Sequence, residues 1–387
     1  MKQFHNLTLP IICLIAFFGM AGGALLGPVL PAMVEPLHTT REMVGMILGV
    51  YTFSTALSML LMSGFVDRFG RKNILIPCLL INGAAGTAGY FAPNLTVLLI
   101  LRLVQGIGIA GMMPVAMTMI GELYSGLDRV HAMGRMSMTT AIGSVSAPLI
   151  GGSMAAFGWN YPFLFYALTI PLAVIVVIFL PETNSVATKR KTGFSEMLGT
   201  LKDFRVAYTI FLGFAIFFLL YTIVIYVPFM LKDSFGFTAK DAGLALGIQG
   251  AAMALVASQA KQLSSRFPKH LVIGSGFFLT SIALAGLPWA GSIQVMLLML
   301  LVFGAGFGMI QPILNTLVTQ IAPKGLMGSV VSVFNTMKYI GQTAAPAVLA
   351  IVLLQFDLKG VFLSSSLFGL VVAASMYLSG NRFSDIK

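Results

Sequence analysis

Apolar residues in this chain come in helix-length runs, separated by short stretches rich in Gly, Pro and charge. The runs lack the strict alternation of a barrel strand. Each approaches the roughly 20 residues a helix needs to cross hydrocarbon. With breaks placed at turn residues, the pattern predicts twelve spans: 9–31, 43–65, 74–92, 96–120, 132–157, 163–180, 208–231, 241–260, 271–289, 293–318, 328–353 and 361–379. Only helices and closed barrels satisfy their backbones in lipid, so the expected fold is an all-α integral membrane protein.

The pattern also repeats at an offset of 198 residues. Gly45 and Gly49 fall on Gly243 and Gly247, and Arg68-Phe69 on Arg266-Phe267. Gly106, Gly108 and Pro114 fall on Gly304, Gly306 and Pro312; Ile142-Gly143 and Ala147-Pro148 fall on Ile340-Gly341 and Ala345-Pro346. The 387 residues are therefore expected to form two six-helix bundles, 1–180 and 208–387, joined by a cytoplasmic linker over 181–207. Many transporters place a site between two such halves, which rock about it. The linker carries Lys189-Arg190-Lys191, then apolar residues at 194, 197, 198, 201 and 204. That spacing suits a helix lying on the inner membrane surface, and a solvated tether fits as well.

Composition agrees with a lipid environment. The chain is 58% hydrophobic and only 9% charged, with a mean hydropathy of +0.94, against about 25% charged residues in soluble domains. A net charge of +11 raises the question of nucleic acid, and its distribution answers it. With a cytoplasmic N-terminus, inner segments hold 17 Lys and Arg; outer segments hold four, namely Arg41, Lys232, Lys240 and Lys359. The bias places both termini on the cytoplasmic side of a cell membrane and makes the basic residues topology anchors. Residues 1–31 resemble a signal peptide, but its removal would leave the first unit one helix short of the second. Cys13 and Cys78 both fall within spans, so no structural disulfide is expected. There is no Walker A sequence, so ATP is not the direct energy source unless a separate subunit supplies it.

Four segments carry recognisable chemistry. After the second span the chain reads Gly64-Phe-Val-Asp67-Arg68-Phe-Gly70-Arg71-Lys72. Gly70 is placed where a tight turn needs freedom of φ, and Asp67 where it can accept hydrogen bonds at a helix N-terminus. Arg102-Leu-Val-Gln105-Gly106-Ile-Gly108-Ile-Ala110 lies in the fourth span. Gly134, Gly143, Ala147-Pro148 and Gly151-Gly152 follow in the fifth; residues 143, 147 and 151 form one smooth stripe at four-residue spacing, of the kind that lets helices approach closely. Glu122 and Arg129 stand seven apart around the turn between these two spans.

Taken together, these segments resemble the major facilitator superfamily over the whole chain. The first is similar to motif A, G-x-x-x-D-R-x-G-R-[KR]; its second-half copy, Ser265-Arg266-Phe267-Pro268-Lys269, has lost the acid and the glycine. The Arg102 segment resembles motif B. The fifth-span residues resemble motif C, the antiporter motif, with Ala147 in place of one Gly. Glu122 and Arg129 resemble the E-x6-R signature shared with sugar porters, and Pro28-Val-Leu-Pro31 a motif of 12-span drug:proton antiporters. The resemblance implies alternating access, with Asp67 latching an inner gate.

Polar residues inside the spans are the remaining signal. Arg102 would cost at least ~2.5 kcal/mol in hydrocarbon unless paired or hydrated. It is either a proton-relay or substrate contact, or it snorkels to the outer interface. Lys338 lies mid-span, sharing a face with Asn335 and Gln342. Gln311 and Asn315 in the tenth span, Gln249 in the eighth, and its repeat partner Tyr51 with Thr55 and Ser58 in the second complete a candidate substrate cavity. For each amide or hydroxyl, a plain helix-to-helix hydrogen bond fits equally. All twelve Asp and Glu fall in loops or at helix ends, so no mid-membrane acid awaits a cation or a proton, which favours an anionic or neutral substrate.

The expected function is a secondary active transporter: a proton-coupled efflux antiporter of amphipathic organic compounds or drugs, or alternatively an uptake or exchange transporter of anionic or neutral organic metabolites. Its partners would be a small-molecule substrate, protons and the bilayer, with no nucleic acid, no cofactor and no metal, and the chain would act as a monomer. An integral membrane enzyme is disfavoured: clustered acids for magnesium and a His-Glu-x-x-His pair are both missing from the sequence, whose four His are scattered.

Overall fold

In hydrocarbon a backbone amide finds no partner outside the protein, and the chain answers with helices. The structure is a computed structural model that describes residues 2–182, 202–323 and 327–383, except for the side chains of 2–6, 63–69, 130, 328, 329 and 381. Most of the linker, including Lys189-Arg190-Lys191 and the amphipathic pattern up to residue 201, lies outside the described residues.

Helix α1 spans Lys2–Ala24. Pro28 and Pro31 then stand in the first turns of a 3-10 segment, Gly27–Val29, and a short helix, Leu30–Met33, where the missing N–H is no loss. Helices α2 (Met46–Phe69) and α3 (Arg71–Ala88) meet at Gly70. Its φ of 83° is a conformation open to glycine and strained for other residues. Helix α4 spans Leu95–Leu123, α5 Gly126–Met154 and α6 Thr169–Phe179. In the second half, α7 is Phe204–Phe235 and α8 Ala239–Ala257, which bends by 49° into a short helix at Ala260–Arg266. Helix α9 is Lys269–Gly286 and α10 Ile293–Ile321. The last 52-residue stretch, Met327–Leu378, is broken at Asp357 (φ 55°, ψ −170°), giving α11 before the break and α12 after it.

Among the described residues, nine helices are long and apolar enough to cross a membrane, or ten with the bent α8 pair as one span. The twelve expected spans are recovered once two facts are added. Helix α5 has the length but not the apolarity, because the stretch after its charged first turns is rich in Ser, Thr and Gly. Val330–Leu378 counts once although it holds two helices.

The chain divides into two compact units, Met1–Lys189 with Thr238–Gly243, and Arg190–Phe237 with Leu244–Lys387. In the first, α4 packs on α1, α2 and α3, α5 on α1, and α6 on α3. In the second, α10 packs on α7 and α9, and both of these pack on the α11–α12 stretch.

The sequence repeat is a repeat of close backbone approaches. A methyl group on Gly106 would sit 2.6 Å from the Tyr51 carbonyl oxygen, and one on Gly304 would collide with the carbonyl of Gln249, the repeat partner of Tyr51. A methyl on Gly108 would lie 2.5 Å from the Asn82 nitrogen and 2.7 Å from the Cys78 oxygen. On Gly306 it would lie 2.6 Å from the oxygen of Gly276, the repeat partner of Cys78. Even the caps repeat: Asn94 accepts from Val97 N–H at 3.0 Å to open α4, and Ser292, at the same offset, accepts from Val295 N–H at 3.4 Å to open α10.

Gly108→Ala should therefore force α4 away from α3, since backbone rather than a flexible side chain blocks the methyl; overpacking of this kind costs about 1–3 kcal/mol. Gly134 has no atom within 4 Å of the same position, and Gly134→Ala should be neutral or slightly stabilising in its helix. Thermal unfolding of the two purified variants in detergent checks the contrast; equal midpoints would contradict it.

Candidate functional site

In the first unit, α3 begins with two of the motif-A basic residues. Arg71 is 5% exposed. Its Nη2 and Nε donate to Glu122 Oε1 at 2.9 and 3.1 Å, tying α3 to the end of α4. Lys72 donates from Nζ to the Val177 carbonyl at 2.6 Å and from its backbone N–H to Glu182 at 3.3 Å, which holds α3 to α6. Glu122 thus bonds Arg71, from motif A, while the guanidinium of Arg129 lies over Gly121. The side chains of Asp67 and Arg68, and the setting of Gly64, fall outside the described residues.

Deeper in the same unit, Arg102 is 1% exposed. It does not snorkel. Its Nη1 donates to Gln105 Oε1 at 2.7 Å and to Tyr166 Oη at 3.3 Å. Gln105 donates onward to Asn82 Oδ1 at 3.0 Å, and Tyr166 to the Gly22 carbonyl at 2.8 Å. The rings of Phe163, Tyr166 and Tyr51 stand 4.8, 5.2 and 5.6 Å from the guanidinium carbon, close enough for cation–π attraction. Arg102 Nε and Nη2 have no hydrogen-bond partner. The cluster joins α1, α2, α3, α4 and the segment before α6 through one charge.

The small-residue stripe of α5 packs tightly on α1. A methyl on Gly143 would lie 3.1 Å from the Phe17 carbonyl oxygen, and one on Gly151 would collide with that of Leu25. Ala147 is fully buried between them, next to Pro148, the one proline in α5. Gly152 meets the backbone of Ala239, in the short segment that belongs to the same unit.

In the second unit, the half-buried Lys338 on α11 donates from Nζ to Asn315 Oδ1 of α10 at 2.9 Å and to Asn335 Oδ1 at 3.3 Å. The Phe334 ring centroid lies 4.3 Å from the ammonium and that of Phe217, on α7, 5.6 Å. Asn315 is exposed, and Gln311, one turn earlier on α10, is half-buried.

The predicted cavity residues thus separate. Asn315, Asn335 and Lys338 come together. Gln342 is 8% exposed, Gln249 4%, Tyr51 2% and Thr55 0%; the last three belong to tight helix contacts, and the Thr55 hydroxyl donates to the Tyr51 carbonyl at 2.8 Å. Asn82, Tyr166 and Gly22 around Arg102, and Phe217 and Phe334 around Lys338, were missed. Phe334 was within reach, one helical turn before Lys338; the others come from distant segments with no spacing signal. Among the described residues, no group of His, Cys, Asp and Glu could hold a metal ion.

The family model of the Major Facilitator Superfamily matches residues 12–346. The chain belongs to this superfamily. It is 30% identical over 347 residues to the Bacillibactin exporter of Bacillus subtilis, covering 85% of each chain. It is 28% identical over 360 residues to Multidrug resistance protein 1 of the same organism, covering 89% of each. Among solved structures, a bacterial homologue of the human lysosomal transporter Spinster, inward-facing and occupied, superposes with a TM-score of 0.81 at 18% identity, over 99% of this chain and 98% of that one. The fold is that of a multi-pass membrane transporter, not an enzyme.

Gln105→Leu in this major facilitator protein should remove the 2.7 Å bond to Arg102 and leave a buried charge short of a partner, at a cost of about 1.5–3 kcal/mol. Gln311→Leu, at a half-buried position, should change stability by no more than about 0.5 kcal/mol. Thermal midpoints of the two purified variants decide; a Gln105→Leu protein as stable as wild type would contradict the role given to the Arg102 cluster.

Proposed function

We propose that this chain is a proton-coupled exporter of amphipathic organic compounds, working by alternating access in the cell membrane as a monomer with both termini cytoplasmic. The observation that carries the reading is the α5 stripe, Gly143, Ala147 and Gly151, seated backbone to backbone on α1. A seam this smooth lets two helices seal tightly without side chains that would need to move. The antiporter-type motif that supplies it is the one the exporter and multidrug relatives lead one to expect.

The orientation follows from the excess of Lys and Arg in the segments assigned to the inner side. Asp67, in the last turn of α2, is proposed as the latch that favours one end state of the cycle. Its second-half counterpart is Ser265, so the latch acts from one unit only. Arg102 is bonded to Gln105 and Tyr166 and ringed by Phe163, Tyr166 and Tyr51. Its part is to hold α1, α2, α3 and α4 together as the unit moves.

The test is transport in proteoliposomes with an imposed pH gradient, using a lipophilic dye as substrate. Dye movement that follows the gradient and collapses when a protonophore removes it is expected. Asp67→Asn should slow turnover more than it weakens dye binding, because it biases one end state rather than the binding site. Dye movement indifferent to the gradient would overturn proton coupling, and an Asp67→Asn protein with wild-type turnover would overturn the latch.

A further inference from the structure

Lys338 is the one lysine or arginine in the middle of a span of the second unit, and its surroundings are unlike those of Arg102. Arg102 is enclosed by three rings and an amide chain at 1% exposure. Lys338 is half-buried and its amide partner Asn315 is exposed. An ammonium has three N–H donors. Two are used, on Asn315 and Asn335, and the third has no partner among the described residues. Both partners are neutral amides. An ammonium facing acyl chains in that state would carry a cost of several kcal/mol, so the accessible side of Lys338 faces water or a ligand, not lipid.

From this geometry we infer that Lys338 is the counter-charge for an organic anion, and that the transported compounds include carboxylates or phenolates. The proposal rests on the exporter reading and names the substrate class. Two features specify that class. The free N–H of Lys338 offers a charge-assisted hydrogen bond to a carboxylate or phenolate oxygen, roughly twice as strong as a neutral one. Asn315 and Asn335, already accepting through Oδ1, each keep an NH2 group that can donate to the same oxygens. Phe334 and Phe217, 4.3 and 5.6 Å from the ammonium, are themselves buried and hold the charge by cation–π attraction rather than offering a face to the ligand. A cationic compound would meet a like charge here with no acid to offset it. Export also suits an anion, because a negative charge leaving a cell runs down an inside-negative potential.

The experiment compares three probes built on one ring system, 2-naphthoate, 2-naphthamide and 2-naphthyl-trimethylammonium, by equilibrium binding to the purified full-length protein. We expect the anion to bind at least tenfold more tightly than the amide, and the cation least. Lys338→Met should bring the anion-to-amide ratio close to one, while Lys338→Arg keeps a preference for the anion. Equal affinity of wild type for anion and amide, a preference that survives Lys338→Met, or no binding of any probe at millimolar concentration would each overturn the site. The same probes in proteoliposomes separate this proposal from the one beneath it. If no probe and no dye moves, the exporter reading fails; if neutral or cationic probes move and the anion does not, the inference about Lys338 fails alone.

Discussion

In hydrocarbon a lone charge costs at least ~2.5 kcal/mol and often far more, and the placement of every ionisable group in this protein answers to that constraint. Acids are kept to loops and helix ends. The start of α3 is tied to the ends of α4 and α6 by Arg71, Glu122 and Lys72. Two cations remain within the spans, and they are handled in opposite ways. Arg102 is sealed among Gln105, Tyr166, Phe163 and Tyr51. Lys338 is left with one open side. A sealed charge braces helices, and a charge with an open side is available to bind.

The duplication makes the asymmetry informative. Backbone contacts are conserved between the copies: Gly106 on α2 matches Gly304 on α8, and Gly108 on α3 matches Gly306 on α9. The polar content is not. The position equivalent to Arg102 is Leu300, and the position equivalent to Lys338 is Thr140. Asn315 corresponds to Met117, and Gln105 to Phe303. The two units therefore share a skeleton of close approaches while each carries one embedded cation at a place the other leaves neutral. Packing glycines have no substitute where backbones meet within the reach of a methyl group, whereas a buried polar cluster can be lost or gained as a set.

Much of the architecture was legible because its signals are local. Twelve apolar runs, turn glycines such as Gly70 and the offset of 198 are read along the chain, and helical period alone joined Asn335 to Lys338. What was hidden depends on segments far apart in sequence. Tyr166 reaches Gly22 across 144 positions, and nothing near Tyr166 distinguishes it from nine other tyrosines. Gln249 and Tyr51 were expected to line a cavity because polar residues in apolar helices usually do something. What they do is offer the carbonyls on which Gly304 and Gly106 pack, a role of the backbone that side-chain polarity cannot signal. Helix α5 shows the reverse limit, being long enough to span yet too polar to stand out as a span by composition.

The central claim is that one unit encloses its embedded charge and the other leaves its own accessible. Cysteine accessibility tests it most directly, in a protein whose buried Cys13 and Cys78 have been replaced by Ser. A charged, water-soluble thiol reagent should modify Asn315→Cys in the folded protein and leave Gln105→Cys untouched until denaturant is added. Modification of Gln105→Cys as fast as Asn315→Cys would contradict the account.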